Sequence, residues 1–259
     1  MRYKCIVSYD GTLFHGFQTQ EGLRTVQSEI EQVLKTINKQ ETIIYPSGRT
    51  DAGVHAYGQV FHFDSLIDMP EDNMKNAINT RLPRDIYVKK VSKVDENFHA
   101  RFSAIAKEYH YLIDFSERSP LLKNYRYYCP FRNVNINDFI EALKFFEGEH
   151  DFRSFTKNQA LTNTRRAVYK IDIDQENALL TIKIIGSGFM RHMVRILVAM
   201  ALEVGRSKIT IERLKYIMEQ KNRVFSPKIL PPSGLYLFAV YYDPSEVEFI
   251  KNGSITKND

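Results

Sequence analysis

Cysteine and tryptophan are scarce in this chain of 259 residues, which contains two cysteines and no tryptophan. Cys5 and Cys129 lie far apart, so the Cys-x-x-Cys spacing of many metal sites is missing. The seven histidines are scattered along the chain and form no ligand pattern either. The sequence therefore does not indicate a metal site.

Long apolar runs are also missing. The longest, from Ile196 to Leu202, is far shorter than the ~20 residues that span a bilayer. The N-terminus enters a strand pattern directly and lacks the features of a signal peptide. We therefore expect a cytoplasmic protein whose cysteines are reduced.

A strong charge of one sign is absent as well. The 36 Lys and Arg residues against 31 Asp and Glu residues give a formal net charge of +5. This balance permits a polyanionic partner without requiring one. With 43% hydrophobic residues, the chain is long enough for one large or two modest globular domains.

The apolar periodicity predicts an α+β fold of two similar halves, each with an antiparallel or mixed sheet and helices on one face. One helix is well defined, because Val26, Ile30, Val33, Leu34 and Ile37 form an apolar stripe behind the N-cap residue Thr25. The first half is predicted to contain strands at 3–8, 43–45, 59–63 and 86–91, and helices at 26–37 and 74–80. The second half is predicted to contain strands at 108–114, 169–174, 179–185 and 235–241. Gln175-Glu176-Asn177 is the predicted turn between the second and third of these strands. A helix is predicted at 136–146, and long helices are predicted before the last strand.

The repeated order of elements indicates an internal duplication with its junction between Asp95 and Lys107. The predicted boundaries are 1–104 for an N-terminal subdomain, 105–243 for a C-terminal subdomain and 244–259 for a polar tail. Two sheets joined side by side would leave a long cleft between them. A loop from the first half could lie over that cleft.

The segment Gly48-Arg49-Thr50-Asp51-Ala52-Gly53-Val54-His55 lies between two predicted strands, and we call it the Asp51 loop. If Arg49 and Asp51 are both extended, their side chains point to the same side, and the guanidinium favours an ionised carboxylate. Such a carboxylate could be a nucleophile, a general base, a metal ligand or half of a structural ion pair in a turn. The octapeptide alone leaves these four interpretations open.

Two enzyme classes would require a second carboxylate to act together with Asp51. An aspartic protease requires a second loop of the same kind to share the proton, and the sequence contains none. A hydrolase acting on a glycosidic bond would be expected to pair Asp51 with another carboxylate. Neither class is favoured.

Positive charge clusters at the start of a predicted buried helix. Arg191, His192 and Arg195 occupy the first turns of a segment whose continuation from Ile196 is apolar nearly all round and ends before Gly205. A helix start of this kind suits a phosphate or a carboxylate, and Arg195 could pair with Asp51. Solvated arginines at an exposed helix start are the alternative.

Aromatic residues occur in two further segments. Tyr109 and Tyr111 share one face of a predicted strand, where they could stack on a base or pack in the core. The segment from His99 to Ala104 interleaves basic and aromatic residues at the predicted junction, which suits a nucleic-acid groove.

Several segments together resemble the tRNA pseudouridine synthase A (TruA) family, in an order that covers the chain up to about Tyr242. The matching segments are Tyr9-Asp10-Gly11 with Phe14, Gly16-Phe17-Gln18, Thr25-Val26-Gln27, the Asp51 loop, Phe98 to Ala104, Tyr109 to Tyr111, His150 to Phe155, His192-Met193-Val194-Arg195, and Gly234 to Leu237.

The resemblance implies isomerisation of uridine to pseudouridine at positions 38, 39 and 40 of the tRNA anticodon stem and loop, without cofactor or metal. It implies that Asp51 is the catalytic nucleophile and that Tyr109, Arg49 and Arg195 bind the substrate. Tyr109 would stack on the uracil, Arg49 would help to hold the target nucleotide out of its stack, and Arg195 would pair with the aspartate. It further implies a homodimer and a pseudouridine synthase fold whose halves meet across a central basic cleft.

Three positions depart from the pattern of that family. Phe17 stands where tryptophan is common, Ile196 follows Arg195 where asparagine is usual, and Ala199 stands where glycine is common. The substitutions concern helix packing and a polar contact, and they leave the nucleophile in place. A catalytically silent RNA-binding or tRNA-remodelling protein on the same fold is the competing hypothesis.

Overall fold

The computed structural model describes residues 1–251. Ten strands are present in this part of the chain: β1 (Arg2–Tyr9), β2 (Tyr45–Pro46), β3 (His55–Asp64), β4 (Ile86–Val94), β5 (Ala106–Asp114), β6 (Tyr127–Tyr128), β7 (Gly148–Asp151), β8 (Arg165–Glu176), β9 (Leu179–Gly186) and β10 (Leu235–Tyr241). The α-helices of the same residues are α1 (Val26–Asn38), α2 (Glu71–Asn79), α3 (Ile136–Lys144), α4 (Met193–Gly205), α5 (Ile211–Gln220) and α6 (Pro244–Lys251).

The chain divides into two compact units. Of the described residues, the first contains Met1–Ile105 and Tyr236–Tyr242, and the second contains Ala106–Leu235 and 243–251. Helix α6 occupies the start of the predicted polar tail, and the rest of that tail, 252–259, lies outside the described residues. Within residues 1–251, no helix is both long and apolar enough to cross a membrane.

The first unit is built on a sheet of strand order β4-β1-β3-β10, with β2 added along β3. Strand β1 runs antiparallel to both β3 and β4, and β10 runs parallel to β3. Alternate residues of β1 are buried, namely Tyr3, Cys5, Val7 and Tyr9, as expected for a strand with one face on a core.

Helix α1 confirms the strongest helix prediction. It begins after Thr25, whose side chain accepts a hydrogen bond from the backbone N–H of Ser28, while the Ser28 side chain accepts one from the backbone of Thr25. Reciprocal capping of this kind satisfies N–H groups that a helix end leaves unpaired. The buried residues of the helix include Val26, Ile30, Val33 and Leu34 of the predicted apolar stripe, whereas Ile37, its last member, is half-buried.

The predicted strand at 43–45 is wrong in its extent, because the structure has only Tyr45–Pro46 as β2. The backbone N–H of Ile44 donates to the Glu31 carboxylate of α1 at 3.1 Å, so it is not available to a strand partner. Pro46 has no N–H and cannot extend the ladder. The side chain of Ile43 is left exposed.

The second unit is built on an antiparallel sheet of strand order β5-β9-β8-β7, with β6 parallel to β5. Strands β8 and β9 confirm the predicted pair and extend beyond it. Their turn, Asn177-Ala178, begins two residues later than predicted, because Gln175 and Glu176 still pair with Leu180 and Leu179 in the ladder. Asn177 turns the chain with a φ of 54°, a left-handed conformation that asparagine tolerates.

Helix α4 confirms the predicted buried helix of the second unit. Its residues from Ile196 to Leu202 are all buried. The helix begins at Met193 rather than at Arg191, because His192 has a left-handed φ of 63° and forms its N-cap. The two units therefore each combine a sheet with helices, in agreement with the predicted α+β class, and the predicted basic cleft stays a prediction.

His62 of β3 is a buried histidine with a fixed protonation state. Its Nδ1 accepts a hydrogen bond of 3.1 Å from the backbone N–H of Ala100, and the ring is 1% exposed. Burial, followed by the nearby His99 and Arg2, lowers the pKa of His62 to about 4. The folded protein therefore keeps this imidazole neutral at pH values where the unfolded chain, with a histidine pKa near 6.5, takes up a proton.

We expect the free energy of unfolding to fall as the pH is lowered from about 6.5 to about 4, because His62 binds a proton in the unfolded chain and stays neutral in the folded protein. The contribution should be on the order of 2 kcal/mol. Urea unfolding at pH 7.5 and pH 5 would measure it in the wild type and in His62→Asn, whose amide oxygen can still accept from Ala100. The exposed His15→Asn is the control. A pH dependence in His62→Asn equal to that of the wild type would contradict the assignment.

Candidate active site

The Asp51 loop connects β2 to β3, and its first half is anchored on β3. The backbone N–H of Ser47 donates to the carbonyl oxygen of Val60 at 2.7 Å. The Ser47 hydroxyl donates to Oε1 of the buried Gln59 at 2.7 Å, and Nε2 of Gln59 donates to the carbonyl oxygen of Gly48 at 2.8 Å. One buried amide side chain therefore fixes the path of the chain as it leaves β2.

The second half of the loop is held by the chain that follows β1. The backbone N–H of Phe17 donates to the carbonyl oxygen of Thr50 at 3.1 Å, and that of Gly53 donates to the carbonyl oxygen of Phe14 at 3.4 Å. The Tyr9 hydroxyl and the Thr50 hydroxyl share a buried hydrogen bond of 2.8 Å. Burial raises the pKa of Tyr9, so its hydroxyl stays protonated at neutral pH. The backbone on both sides of the aspartate is thus tied down.

Two glycines allow these segments to approach each other. Gly16 has a φ of +95°, and a Cβ built there would lie 2.9 Å from the carbonyl oxygen of Thr50 and 3.4 Å from the carbonyl carbon of Asp51. A Cβ on Gly11 would lie 2.0 Å from the carbonyl oxygen of Val54. Each contact is with backbone, which cannot move aside as a flexible side chain can. Both positions therefore require glycine.

The end of the loop, where β3 begins at His55, is also fixed. Nδ1 of the buried His55 accepts a hydrogen bond of 3.0 Å from the backbone N–H of Gly11. The same nitrogen lies 3.2 Å from Oδ1 of Asp10, which accepts a hydrogen bond of 2.6 Å from the Thr12 hydroxyl. The His55 ring stacks on Tyr236 with 4.7 Å between centroids. The chain thus enters β3 in a defined direction.

Asp51 itself is half-buried, and Arg49 is exposed. A half-buried carboxylate in a tied loop is accessible to a substrate while its backbone stays in place. An exposed guanidinium two residues before it can reach a phosphate or a base. The ion pair that the sequence predicted between Arg49 and Asp51 stays a prediction.

Tyr109 lies on β5 in the second unit and is 8% exposed. Its ring meets that of Phe189 edge to face, with 5.2 Å between centroids and 81° between planes. The neighbouring Tyr111 is fully buried, and its hydroxyl donates to the carbonyl oxygen of Pro231 at 2.8 Å. Of the two tyrosines on this face, Tyr111 therefore belongs to the core, and Tyr109 retains a small exposed area.

Arg195 lies in the first turn of α4 and is half-buried. Its Nε donates to the carbonyl oxygen of Leu230 at 2.7 Å, and the backbone N–H of Leu230 donates to the carbonyl oxygen of Arg195 at 3.3 Å. This double connection orients the guanidinium. Burial raises the pKa of Tyr111 well above its usual value, with the charge of Arg195 acting in the opposite direction. The predicted pairing of Arg195 with Asp51 stays a prediction.

Metal ligands do not converge within the part of the chain that the structure describes. No group of three or more His, Cys, Asp or Glu side chains among residues 1–251 could hold a metal ion. Cys5 and Cys129 are free and buried. Burial raises the pKa of both thiols, which disfavours the reactive thiolate.

A family model described as "tRNA pseudouridine synthase" matches residues 5–103 and 142–243 of the chain. The chain belongs to the tRNA pseudouridine synthase family. The matched residues of this tRNA pseudouridine synthase include the Asp51 loop, the segment 9–17 that holds the loop, and Arg195. Tyr109 lies outside them.

Curated relatives extend the likeness to nearly the full length of the chain. The tRNA pseudouridine synthase A of Geobacillus sp. (strain WCH70) is 47% identical over 245 residues, covering 93% of this chain and 98% of the relative. The protein of the same name from Pseudothermotoga lettingae is 47% identical over 242 residues, covering 92% and 98%. That from Bacillus subtilis (strain 168) is 42% identical over 248 residues, covering 94% and 100%.

Among solved structures, a Cbf5-Nop10-Gar1 complex aligns with a TM-score of 0.35 and 14% identity, covering 77% of this chain and 54% of that chain. This likeness is too low to support an argument.

Sequence reasoning did not identify the residues that hold the loop of this tRNA pseudouridine synthase family member. Gln59 and Thr50 appear in the sequence as ordinary polar residues, and only their burial shows what they bind. Gly16 appears in the sequence only within a segment that matches the family, and its close approach to Thr50 is visible only in the structure. Phe17, which departs from the usual tryptophan, is fully buried, so its apolar role is kept.

Proposed function

We propose that the protein converts uridine to pseudouridine at positions 38, 39 and 40 of the tRNA anticodon stem and loop, with Asp51 as the nucleophile. The observation that carries the proposal is the half-buried Asp51 carboxylate in a loop tied on both sides, in a chain that belongs to the tRNA pseudouridine synthase family. The curated relatives named tRNA pseudouridine synthase A support tRNA as the substrate.

The reaction is an isomerisation whose atoms balance without a co-reactant. The bond between N1 of uracil and C1′ of the ribose breaks, the base turns, and C5 forms a bond with C1′. C5 loses its proton and N1 gains one. A carboxylate can attack either C6 of the base or C1′ of the sugar and leave again when the new bond has formed. Both routes need a fixed nucleophile, which the tied loop provides.

The other three residues of the proposed site handle the substrate. Arg49 is exposed beside the nucleophile, where it can hold the target nucleotide out of its stack. Tyr109 has a small exposed area that can contact the uracil ring. Arg195 is oriented by Leu230 and would pair with the charge of Asp51.

The proposed partners are the anticodon arm of a tRNA and a second copy of the chain. A net charge of +5 is compatible with RNA binding, because a local cluster of arginines and lysines can bind phosphates on a surface that is otherwise balanced. Size-exclusion chromatography with light scattering would determine whether the protein is a homodimer.

The proposal is tested with tRNA transcripts that carry a single uridine at position 38, 39 or 40. Base-resolved mapping of pseudouridine after incubation with the protein should detect the product at each position. A transcript with cytidine at all three positions is the control and should stay unmodified there. Tight binding of all transcripts without any isomerisation would contradict the proposal and favour a catalytically silent RNA-binding protein.

A further inference from the structure

Four rings of the first unit form a continuous cluster, which we call the His99 cluster: Tyr45, His62, His99 and Phe102. The His99 ring lies 4.4 Å from that of Phe102 and 4.6 Å from that of His62, measured between centroids. Tyr45 stacks on His62 at 5.1 Å and 22°. The cluster thus extends from a buried histidine of β3 to an exposed phenylalanine, Phe102, which is 75% exposed.

The turn that carries Phe102 is closed by its own hydrogen bonds. Nδ1 of His99 accepts from the backbone N–H groups of Arg101 and Phe102 at 3.1 and 3.4 Å. The N–H of His99 donates to the Ser103 hydroxyl at 3.0 Å, and the N–H of Ser103 donates to the carbonyl oxygen of His99 at 2.9 Å. Four hydrogen bonds in five residues fix the direction in which Phe102 projects.

The base of this turn is attached to the rest of the first unit. A guanidinium nitrogen of Arg2 donates to the carbonyl oxygens of Glu96 and of Phe98, the latter at 2.9 Å. The Tyr242 hydroxyl donates to the carbonyl oxygen of Ala100 at 2.8 Å. The turn is therefore preorganised.

Packing does not explain an aromatic side chain in this position. Phe102 leaves three quarters of its surface in solvent and contributes little to the core. The guanidinium carbon of the exposed Arg101 lies 5.5 Å from the centroid of the Phe102 ring. An exposed ring with a neighbouring arginine on a rigid turn is the arrangement that binds unpaired nucleotides, since every base can stack on a ring and every phosphate attracts a cation.

We propose that Phe102 and Arg101 form an RNA contact separate from the Asp51 loop, in which Phe102 stacks on an unpaired base of the substrate and Arg101 binds an adjacent phosphate. The proposal rests on RNA being the substrate, as proposed above. His99 acts as a positioning residue that presents both side chains. Burial, followed by the charges of Arg2 and Arg101, lowers the pKa of His99, which favours the neutral imidazole, and the two N–H donors select the tautomer whose Nδ1 carries no proton.

The test compares Phe102→Ala, Phe102→Leu and Phe102→Trp in the full chain. Anisotropy of a labelled tRNA transcript would give the Kd, and pseudouridine mapping on the same samples would give kcat/KM. We expect alanine and leucine to raise the Kd about tenfold and to lower kcat/KM by the same factor, because both variants lack the aromatic face on which a base would stack. Tryptophan should restore binding. Arg101→Gln should reduce the slope of log Kd against log salt by about one.

The chain offers a matched control in Arg213 and Tyr216, where the guanidinium carbon lies 4.5 Å from the centroid of a partly exposed ring. Tyr216→Ala should bind and modify RNA as the wild type does. A Phe102→Ala protein with the Kd of the wild type, in a preparation whose wild type forms pseudouridine, would overturn the proposal and leave the proposed function intact. A Phe102→Ala protein that loses RNA binding only because a dimer dissociates, as light scattering would show, would also overturn it. If the wild type neither binds nor modifies RNA, the proposed function has failed.

Discussion

Replacing Asp51 by asparagine is expected to abolish pseudouridine formation while the protein stays folded. Asparagine has nearly the same shape but carries no charge and is a very poor nucleophile. The loop depends on backbone groups of the flanking residues and on the Tyr9 and Gln59 side chains, none of which the substitution removes. We expect a loss of at least about 10³-fold in the single-turnover rate, as is usual when a nucleophile is removed.

Single-turnover assays with enzyme in excess over tRNA would measure this loss, because they separate chemistry from product release. Thermal unfolding followed by circular dichroism should give a midpoint close to that of the wild type, and RNA affinity should be retained. Asp51→Glu is an informative companion, since it keeps the charge but moves it by one methylene. Rates near that of the wild type in the asparagine variant would refute the role of Asp51 as nucleophile.

Replacing Gly16 by alanine is expected to cause the second largest effect, a loss of both stability and activity. The new Cβ would lie 2.9 Å from the carbonyl oxygen of Thr50. The alanine would also have to adopt a backbone φ of +95°, a conformation that residues with a side chain rarely adopt. Strain of this kind costs roughly 1–3 kcal/mol. Because the displaced atoms adjoin Asp51, we expect activity to fall by at least about tenfold even at temperatures where the variant is folded.

Gly22 provides the matched control for this substitution. It also has a positive φ, +71°, but a Cβ built there meets no atom within 4 Å. Gly22→Ala should therefore lose about 1 kcal/mol of stability through backbone strain alone and keep its single-turnover rate. Equal rates in Gly16→Ala and Gly22→Ala, measured below both unfolding midpoints, would show that contact with the loop does not matter for catalysis.

The elements that the sequence predicts well are those whose signal is local. Helix α1 has its apolar stripe and its cap within one short segment, so Val26 to Leu34 and Thr25 suffice to place it. Strands β8 and β9 alternate strictly, because one face of each is buried. The apolar composition of helix α4 predicts that it is buried. The left-handed conformation of its N-cap residue His192 cannot be read from the sequence.

The organisation of the candidate site could be predicted only in part, because it depends on contacts between distant residues. The octapeptide predicted a loop that carries Asp51, and the resemblance to a known family implied a role for this carboxylate. The hydrogen bond between Tyr9 and Thr50 joins residues 41 positions apart, and nothing in either neighbourhood indicates it. The start of strand β2 was predicted too early, because the backbone N–H of Ile44 donates to Glu31, a residue of a helix earlier in the chain.

Every contact described here that ties the Asp51 loop comes from the first unit: Gln59 and Val60 on one side, and Tyr9, Phe14 and Phe17 on the other. The backbone anchors of the Asp51 loop that are given above thus belong to one compact unit of the chain. Chimeras that keep residues 1–105 and 236–242 and take the remainder from another family member are expected to retain these anchors of the Asp51 loop.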